Sequence, residues 1–298
     1  MIKIFFIVLT SVSLLSACTQ RATLGSEKNP IKVALVPGQD TLILEKNGKL
    51  LEAWLEKQTG YKFEVKVPVS FIAVVESLGS SRADIAFMNT FGFLVAQEKF
   101  GAKVRLIGLN QGADQYHGQI ISHVDGPKSV KEIQGKKFAY VDPASTSGYV
   151  LAVKAMMDEE VKPKEYVFAG RHDNVVMMVY QKRVDAGATF HSNSVDGQPR
   201  DARRLLAKQF PDVFEKIRVL KMTGPVPNDP VVFRKGIPLE MEDKIVQAIK
   251  DYFKDPQGKE VMYNLYHMDG VRDASDQDYV HVKKMLLELG KTAQEFTK

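Results

Sequence analysis

The 298-residue sequence predicts an α/β protein of two lobes, each a mixed, mostly parallel sheet flanked by helices, with a ligand cleft between them. Three observations support this. Short apolar runs alternate with amphipathic segments in two successive series, joined by short loops, which is the rhythm of βαβ units. After the second series a Pro-rich passage, Gly224–Pro230, leads back into apolar patterning at Val231–Phe233, so the second series reads as an insertion in the first. Two crossings, near Ser122–Asp125 and Gly224–Asp229, then make a two-strand hinge. Ligands in such folds sit in the crevice that strand C-termini and helix N-termini face.

At the N-terminus Lys3 precedes the apolar stretch Ile4–Leu14 and then Leu15-Ser16-Ala17-Cys18. An apolar core of about a dozen residues is too short for a membrane span and suits a signal peptide. Small residues before the single cysteine have the form of a lipoprotein processing box. Residues 1–17 are therefore expected to be a lipoprotein signal peptide, Cys18 a lipid-bearing mature N-terminus, and residues 18–30 a polar tether. One cysteine allows no internal disulfide, so the folded part relies on its core, for which 44% hydrophobic residues is an ordinary content. A formal charge of +5, spread without clusters, argues against a nucleic-acid surface and attracts small anions only mildly.

In the first series Ile31–Val36 is a buried strand ending at Pro37-Gly38, and Asp40-Thr41 caps a helix through Leu55, open to interruption at Asn47-Gly48 and stopped by Gly60. Phe63–Val67 alternates as a strand, Phe71–Gly79 is a short helix and Ala83–Met88 a strand. Asn89-Thr90 starts a helix to about Phe100, and Val104–Gly108 and His117–His123 complete the series as strands. The first lobe is thus assigned residues 31–123 and 228–298, and the second 124–227. Ser129-Val130-Lys131-Glu132 has the form of a capping box. Then come a strand at Phe138–Val141, a helix at Tyr149–Glu160, a strand at Tyr166–Ala169, a helix at Asn174–Lys182, and strands at Val184–Phe190 and Ile217–Met222. The tail is helical at Glu240–Phe253, Lys259–Tyr266 and Tyr279–Gly290.

The stretch Phe138–Tyr149, FAYVDPASTSGY, carries the strongest functional signal. A strand stops at Asp-Pro, and Ser145-Thr146-Ser147-Gly148 opens a helix. One hydroxyl suffices for an N-cap; three, beside unpaired amides and the positive end of a helix dipole, make an anion site. His172 follows a second strand in Gly170-Arg171-His172-Asp173 and sits at the next helix N-terminus, where Asp173 or Asn174 serves as cap. Asp229 lies at the hinge between Pro227 and Pro230; a carboxylate facing an anion discriminates between ligands rather than attracting them. Tyr116 and Phe71 stand at the ends of elements, where either a core or a cleft role is open.

The ordered set FAYVDPASTSGY, GRHD, VDAGATF and VPNDPVVFRKG, with ADIAF and QYHGQII before it, resembles the phosphonate/phosphite/phosphate substrate-binding proteins of ABC importers over nearly the whole mature chain. The resemblance implies a periplasmic-binding-protein fold. It further implies phosphorus oxygens held by Ser145, Thr146, Ser147 and His172 from one lobe and Tyr116 from the other, with Asp229 as the cleft aspartate. Two positions depart from the aminophosphonate binders in this family. Phe71 stands where they have a tyrosine, and His191-Ser192-Asn193-Ser194 replaces an acidic residue, with Asn193 as the position carried over. Losing that acid points away from an amine-bearing ligand.

The expected protein is a monomeric, lipid-anchored receptor facing the periplasm or extracellular side. It binds phosphite, methylphosphonate or phosphate and delivers it to a permease and ATPase, with no cofactor, metal or catalysis. The alternatives are a receptor for 2-aminoethylphosphonate or another organophosphonate, and a ligand-binding sensor. More remotely, Ser147, His172 and Asp173 would form a hydrolase triad, although His and Asp adjacent on one loop are poorly placed for it and no G-x-S-x-G elbow is present. No histidine pair has metal-binding spacing.

Overall fold

The structure, a computed structural model, describes residues 22–194, 197 and 199–289; the signal peptide, Cys18 and residues 19–21 of the expected tether lie outside them. The chain runs β1 (Ile31–Leu35), α1 (Thr41–Thr59), β2 (Phe63–Lys66), α2 (Phe71–Gly79), β3 (Ile85–Phe87), α3 (Thr90–Phe100) and β4 (Lys103–Leu109). β1 pairs in parallel with β2 and β3, as βαβ crossovers require. Each helix starts with its own cap: Asp40 accepts from Leu42 N, Ser70 from Ala73 N and Asn89 from Gly92 N. α1 runs unbroken through Asn47 and Gly48, both buried, and closes on Gly60 in the left-handed conformation.

The second series is β5 (Gln115–His123), β6 (Lys137–Tyr140), α4 (Leu151–Asp158), β7 (Glu165–Phe168), α5 (His172–Tyr180), β8 (Ala186–His191), the short α6 (Val213–Lys216) and β9 (Ile217–Pro227). The chain then returns with β10 (Pro230–Phe233), α7 (Leu239–Tyr252), α8 (Pro256–Tyr266), β11 (Gly270–Asp273) and α9 (Val280–Glu288). Two mixed sheets result, ordered β11-β4-β10-β3-β1-β2 and β7-β6-β8-β5-β9. In both, the βαβ strands pair in parallel and the crossing and returning strands pair antiparallel. β11, which the sequence patterning did not anticipate, closes the first sheet against β4.

The pairing moves one boundary. The expected first lobe ended at His123, but β5 lies between β8 and β9 in the second sheet. Only residues 110–114 separate β4 from β5, too few for a parallel crossover within one sheet. The first crossing is therefore at residues 110–114 rather than Ser122–Asp125, and it lies beside the second. Asn228 joins the two: its N–H donates to Asp114 O at 2.8 Å, and its side-chain amide reaches Gly108 O at 3.0 Å and Ala113 O at 2.9 Å.

Two further expectations change. Residues 22–30 are docked rather than free: Gly25 N donates to Asn29 O, Lys62 N to Gly25 O, and Leu24 packs against the first-lobe core. The capping box at Ser129 does not form. A single 3₁₀ turn, Lys131–Ile133, stands there without a side-chain cap, and Glu132 accepts instead from Lys128 N at 2.9 Å.

Candidate functional site

A cavity of about 110 Å³ lies between the lobes. Four helix N-termini border it: Phe71 opens α2, Asn89 caps α3, Ser145 and Ser147 belong to the turn leading into α4, and His172 opens α5. Tyr116 contributes from the start of β5, Asn228 and Asp229 from the hinge, and Tyr266 and His267 from the end of α8. No Lys or Arg lines this cavity. Its positive potential therefore comes from backbone amides and helix dipoles, fixed in place by the fold.

The Ser-Thr-Ser segment divides its labour. Ser145 is the N-cap of one wide π turn, Thr146–Val150, that continues into α4; its Oγ accepts from Gly148 N at 3.1 Å. Ser147 lines the cavity, and its hydroxyl hydrogen-bonds with the Tyr116 phenol. Thr146, expected to grip the ligand, is turned away from the cavity. Its hydroxyl donates to Asn89 Oδ1 at 2.8 Å and accepts from Phe91 N at 2.8 Å, which uses its one proton on the first lobe. Close packing fixes the loop. A Cβ on Gly118 of β5 would lie 2.4 Å from Thr223 Oγ1 and 3.2 Å from Ser147 O, and one on Gly148 would lie 2.3 Å from Val141 Cγ2.

His172 is buried, and its Nδ1 lies 2.8 Å from Thr189 Oγ1. Burial pushes its pKa down to about 3, so the ring is neutral near pH 7. In the tautomer in which the Thr189 hydroxyl donates to Nδ1, Nε2–H is the free donor of the neutral ring. The caps expected of Asp173 and Asn174 are absent: Asp173 pairs with Arg171 at 3.0 Å and Asn174 donates to Ala169 O at 2.8 Å. The His172 ring is thus oriented by Thr189, and Asp173 plays no part in orienting it.

Asp229 is the one carboxylate on the cavity wall. Its side chain makes no hydrogen bond or ion pair with a described residue, and burial pushes its pKa up to about 7. Tyr116 stands close by: burial first, then the Asp229 charge, holds its phenol well above the ordinary range, while the hydroxyls of Ser147 and Thr146 draw it down. Tyr116 belongs to β5 and so to the same lobe as the Ser-Thr-Ser segment, and not, as expected, to the other lobe. Tyr266 also feels the Asp229 charge, and its hydroxyl donates to Val36 O at 3.3 Å.

Phe71 presents an apolar ring to the cavity, while its N–H donates to Asp142 Oδ2 at 3.3 Å across the lobes. Asn193 is exposed and does not line the cavity; its neighbour Ser192 does. β8 ends at His191, whose Nδ1 lies 2.9 Å from Gln119 Oε1, and this register turns the next residue inward. The sequence reading missed Asp142 and Asn89 as lobe-bridging groups, and Tyr266 and His267 as wall residues. A Tyr-His pair ending an amphipathic helix was the available signal for the last two. His172 N donating to Gly38 O at 3.3 Å adds to the bridges, and together they hold the lobes closed. Among the described residues no group of His, Cys, Asp or Glu is placed to hold a metal ion, and no helix is long and apolar enough to cross a membrane.

Comparison with known proteins shows the family and the fold. Residues 33–279 match the family described as ABC transporter, phosphonate, periplasmic substrate-binding protein. The phosphate-import protein PhnD of Mycolicibacterium smegmatis is 30% identical over 198 residues, 59% of this chain and 61% of that protein's length. Among solved structures, a binding protein component of an ABC phosphonate transporter from Pseudomonas aeruginosa superposes with a TM-score of 0.76 at 18% identity, covering 88% of this chain and 87% of that one. PhnD1 of Prochlorococcus marinus, solved with methylphosphonate, gives a TM-score of 0.73 at 16% identity over 88% of this chain and 98% of that one.

Proposed function

The chain belongs to the family of periplasmic substrate-binding proteins of phosphonate ABC transporters, and from that premise we propose that it is the solute receptor of an importer, closing two lobes over a small phosphorus oxyanion such as phosphite, methylphosphonate or phosphate. The observation that carries this reading is the convergence of four helix N-termini on a cavity without a basic side chain. Such a wall stabilises oxyanions through preorganised neutral donors. Ser145, Ser147, Tyr116 and the Nε2–H of neutral His172 supply the side-chain donors, and Asp229 selects. An ionised carboxylate repels a dianion, whereas one proton held between Asp229 and a phosphorus oxygen makes a charge-assisted hydrogen bond. Sulfate has no proton to give near pH 7 and meets only repulsion from the ionised form.

Size points the same way. A cavity of about 150 Å³ holds a benzene ring, so about 110 Å³ suits a ligand with a phosphorus head and little more. Phe71 places an apolar surface where a P–H or P–CH₃ group is accommodated without loss of a hydrogen bond. The fold's task is binding and hinge closure, with no bond broken; Thr189 rather than Asp173 faces the His172 imidazole, so the triad reading has no orienting acid. We assign Cys18 as the lipid anchor that keeps a monomeric receptor at the membrane, near the permease and ATPase that receive its cargo. Calorimetric titration of the mature protein with phosphite, methylphosphonate, phosphate, sulfate and 2-aminoethylphosphonate tests the reading. Binding of a small phosphorus oxyanion with sulfate excluded is the expected result; silence from every phosphorus ligand refutes it.

A further inference from the structure

We infer that the cleft carries a second anion subsite beside the main cavity, formed by Arg200, Arg204 and His267, which receives a carboxylate at the far end of a phosphonate ligand. This inference rests on the proposed function, because the main cavity must hold the phosphonate head.

A side pocket of about 40 Å³ adjoins the cavity; Asn110 and His267 line both spaces, and Arg200, Arg204 and Tyr263 line the side pocket. Its donors are unspent. Arg204 donates from Nε to Arg200 O at 2.9 Å, but its Nη2 is buried without a partner. Arg200 donates from Nη1 to the Tyr263 hydroxyl, but its Nε is buried without a partner, and so is Nδ1 of His267. Neither arginine forms an ion pair among the described residues. Asp269, at the pocket rim, is exposed and accepts from Gln111 N at 2.7 Å.

Buried guanidinium groups without a counter-ion are unfavourable, and burial pulls the pKa of Arg204 down to about 10. The same burial, with the charges of Arg204 and Arg200, holds His267 neutral. An anion relieves all three groups at once. The planar fork of an arginine matches the two oxygens of a carboxylate, and the pocket volume suits a group of about that size. The reach is short. The Arg204 guanidinium lies 5.9 Å from the centroid of Phe190, and both Phe190 and Leu205, the next residue after Arg204, border the main cavity. A phosphonate with a short carbon chain to its carboxylate is the ligand that suits two adjoining spaces. Arg200 and Arg204 come from the second lobe and Tyr263 and His267 from the first, so closure itself completes the subsite.

Titration of the native protein with phosphonoacetate, its neutral isostere phosphonoacetamide, and methylphosphonate tests the inference without any variant. The carboxylate is expected to bind about ten- to a hundredfold more tightly than the amide, the range of a desolvated charge-assisted pair. In Arg204→Gln, and separately in Arg200→Gln should the first fail to fold, that ratio is expected to fall toward one. Methylphosphonate binding with equal affinities for carboxylate and amide overturns the subsite and leaves the main cavity reading intact. A variant that keeps the full preference overturns the role of its arginine. No binding by any of the three compounds overturns the proposed function, and the subsite with it.

Discussion

Thr146 of the second lobe gives its hydroxyl proton to Asn89 of the first across 2.8 Å, and Asn89 at the same time caps α3 by accepting from Gly92 N at 2.9 Å. A residue whose type and position suggested ligand contact is thus a latch between the lobes. Opening the cleft exposes these groups to water, so the bond counts mainly in the closed state. Thr146→Val is expected to weaken ligand binding by about 1–3 kcal/mol, the scale of the interlobe bonds that the Thr146 hydroxyl makes on closure. Calorimetry alone does not separate a latch from a ligand contact. A double-mutant cycle with Asn89→Ala does: a coupling of roughly 1 kcal/mol supports the latch, and strict additivity refutes it.

Ser147 makes the opposite case. Its hydroxyl lies at the cavity wall, where it hydrogen-bonds with the Tyr116 phenol. Ser147→Ala is expected to lower affinity for a phosphorus oxyanion by about 1–3 kcal/mol, while the ligand-free melting temperature falls by only a few degrees, the scale of the one bond to Tyr116. An unchanged dissociation constant, measured by titration, returns Ser147 to a structural role.

The helix starts of the first series were legible because their chemistry is local. A cap needs one side chain and an amide two or three residues on, and Asp40, Ser70 and Asn89 declare themselves in sequence. The identity of the sheet holding β5 was not legible, because its eleven-residue partner β9 lies about a hundred residues away and both sheets offer apolar strands. The same non-locality hid the interlobe bonds of Thr146 and Asp142. A hydroxyl's type is visible in the chain, but which lobe it faces depends on a closure that only the folded molecule records.

Asn193 and Ser192 test the register at the end of β8. Asn193 is exposed and outside the cavity, whereas Ser192 lines it. Asn193→Ala is expected to leave ligand affinity unchanged, and Ser192→Ala to reduce it by about 1 kcal/mol, the scale of one net hydrogen bond. The reverse order in titration places the strand end one residue out of register.

Asp229 sets the pH dependence. Its folded pKa of about 7 stands above the unfolded value of 3.8, so the folded chain holds the proton more tightly. Its contribution is therefore most favourable below pH 3.8, and is lost as pH rises through about 7, where the ion must sit in the cavity without a partner. His172 acts in the other direction. Its folded pKa of about 3 lies below 6.5, so stability falls as pH drops through that window. Comparing Asp229→Asn with the parent at each pH cancels the histidine. The amide variant is expected to match the parent near pH 4 in the ligand-free state and exceed it near pH 8, by up to about 4 kcal/mol and less where cavity water screens the ion. Binding follows the same proton: the variant is expected to favour dianionic ligands at high pH and to lose the parent's preference for protonated ones. Chemical denaturation and titration at both pH values check this, and a stability difference that stays flat across the range removes Asp229 as the selecting group.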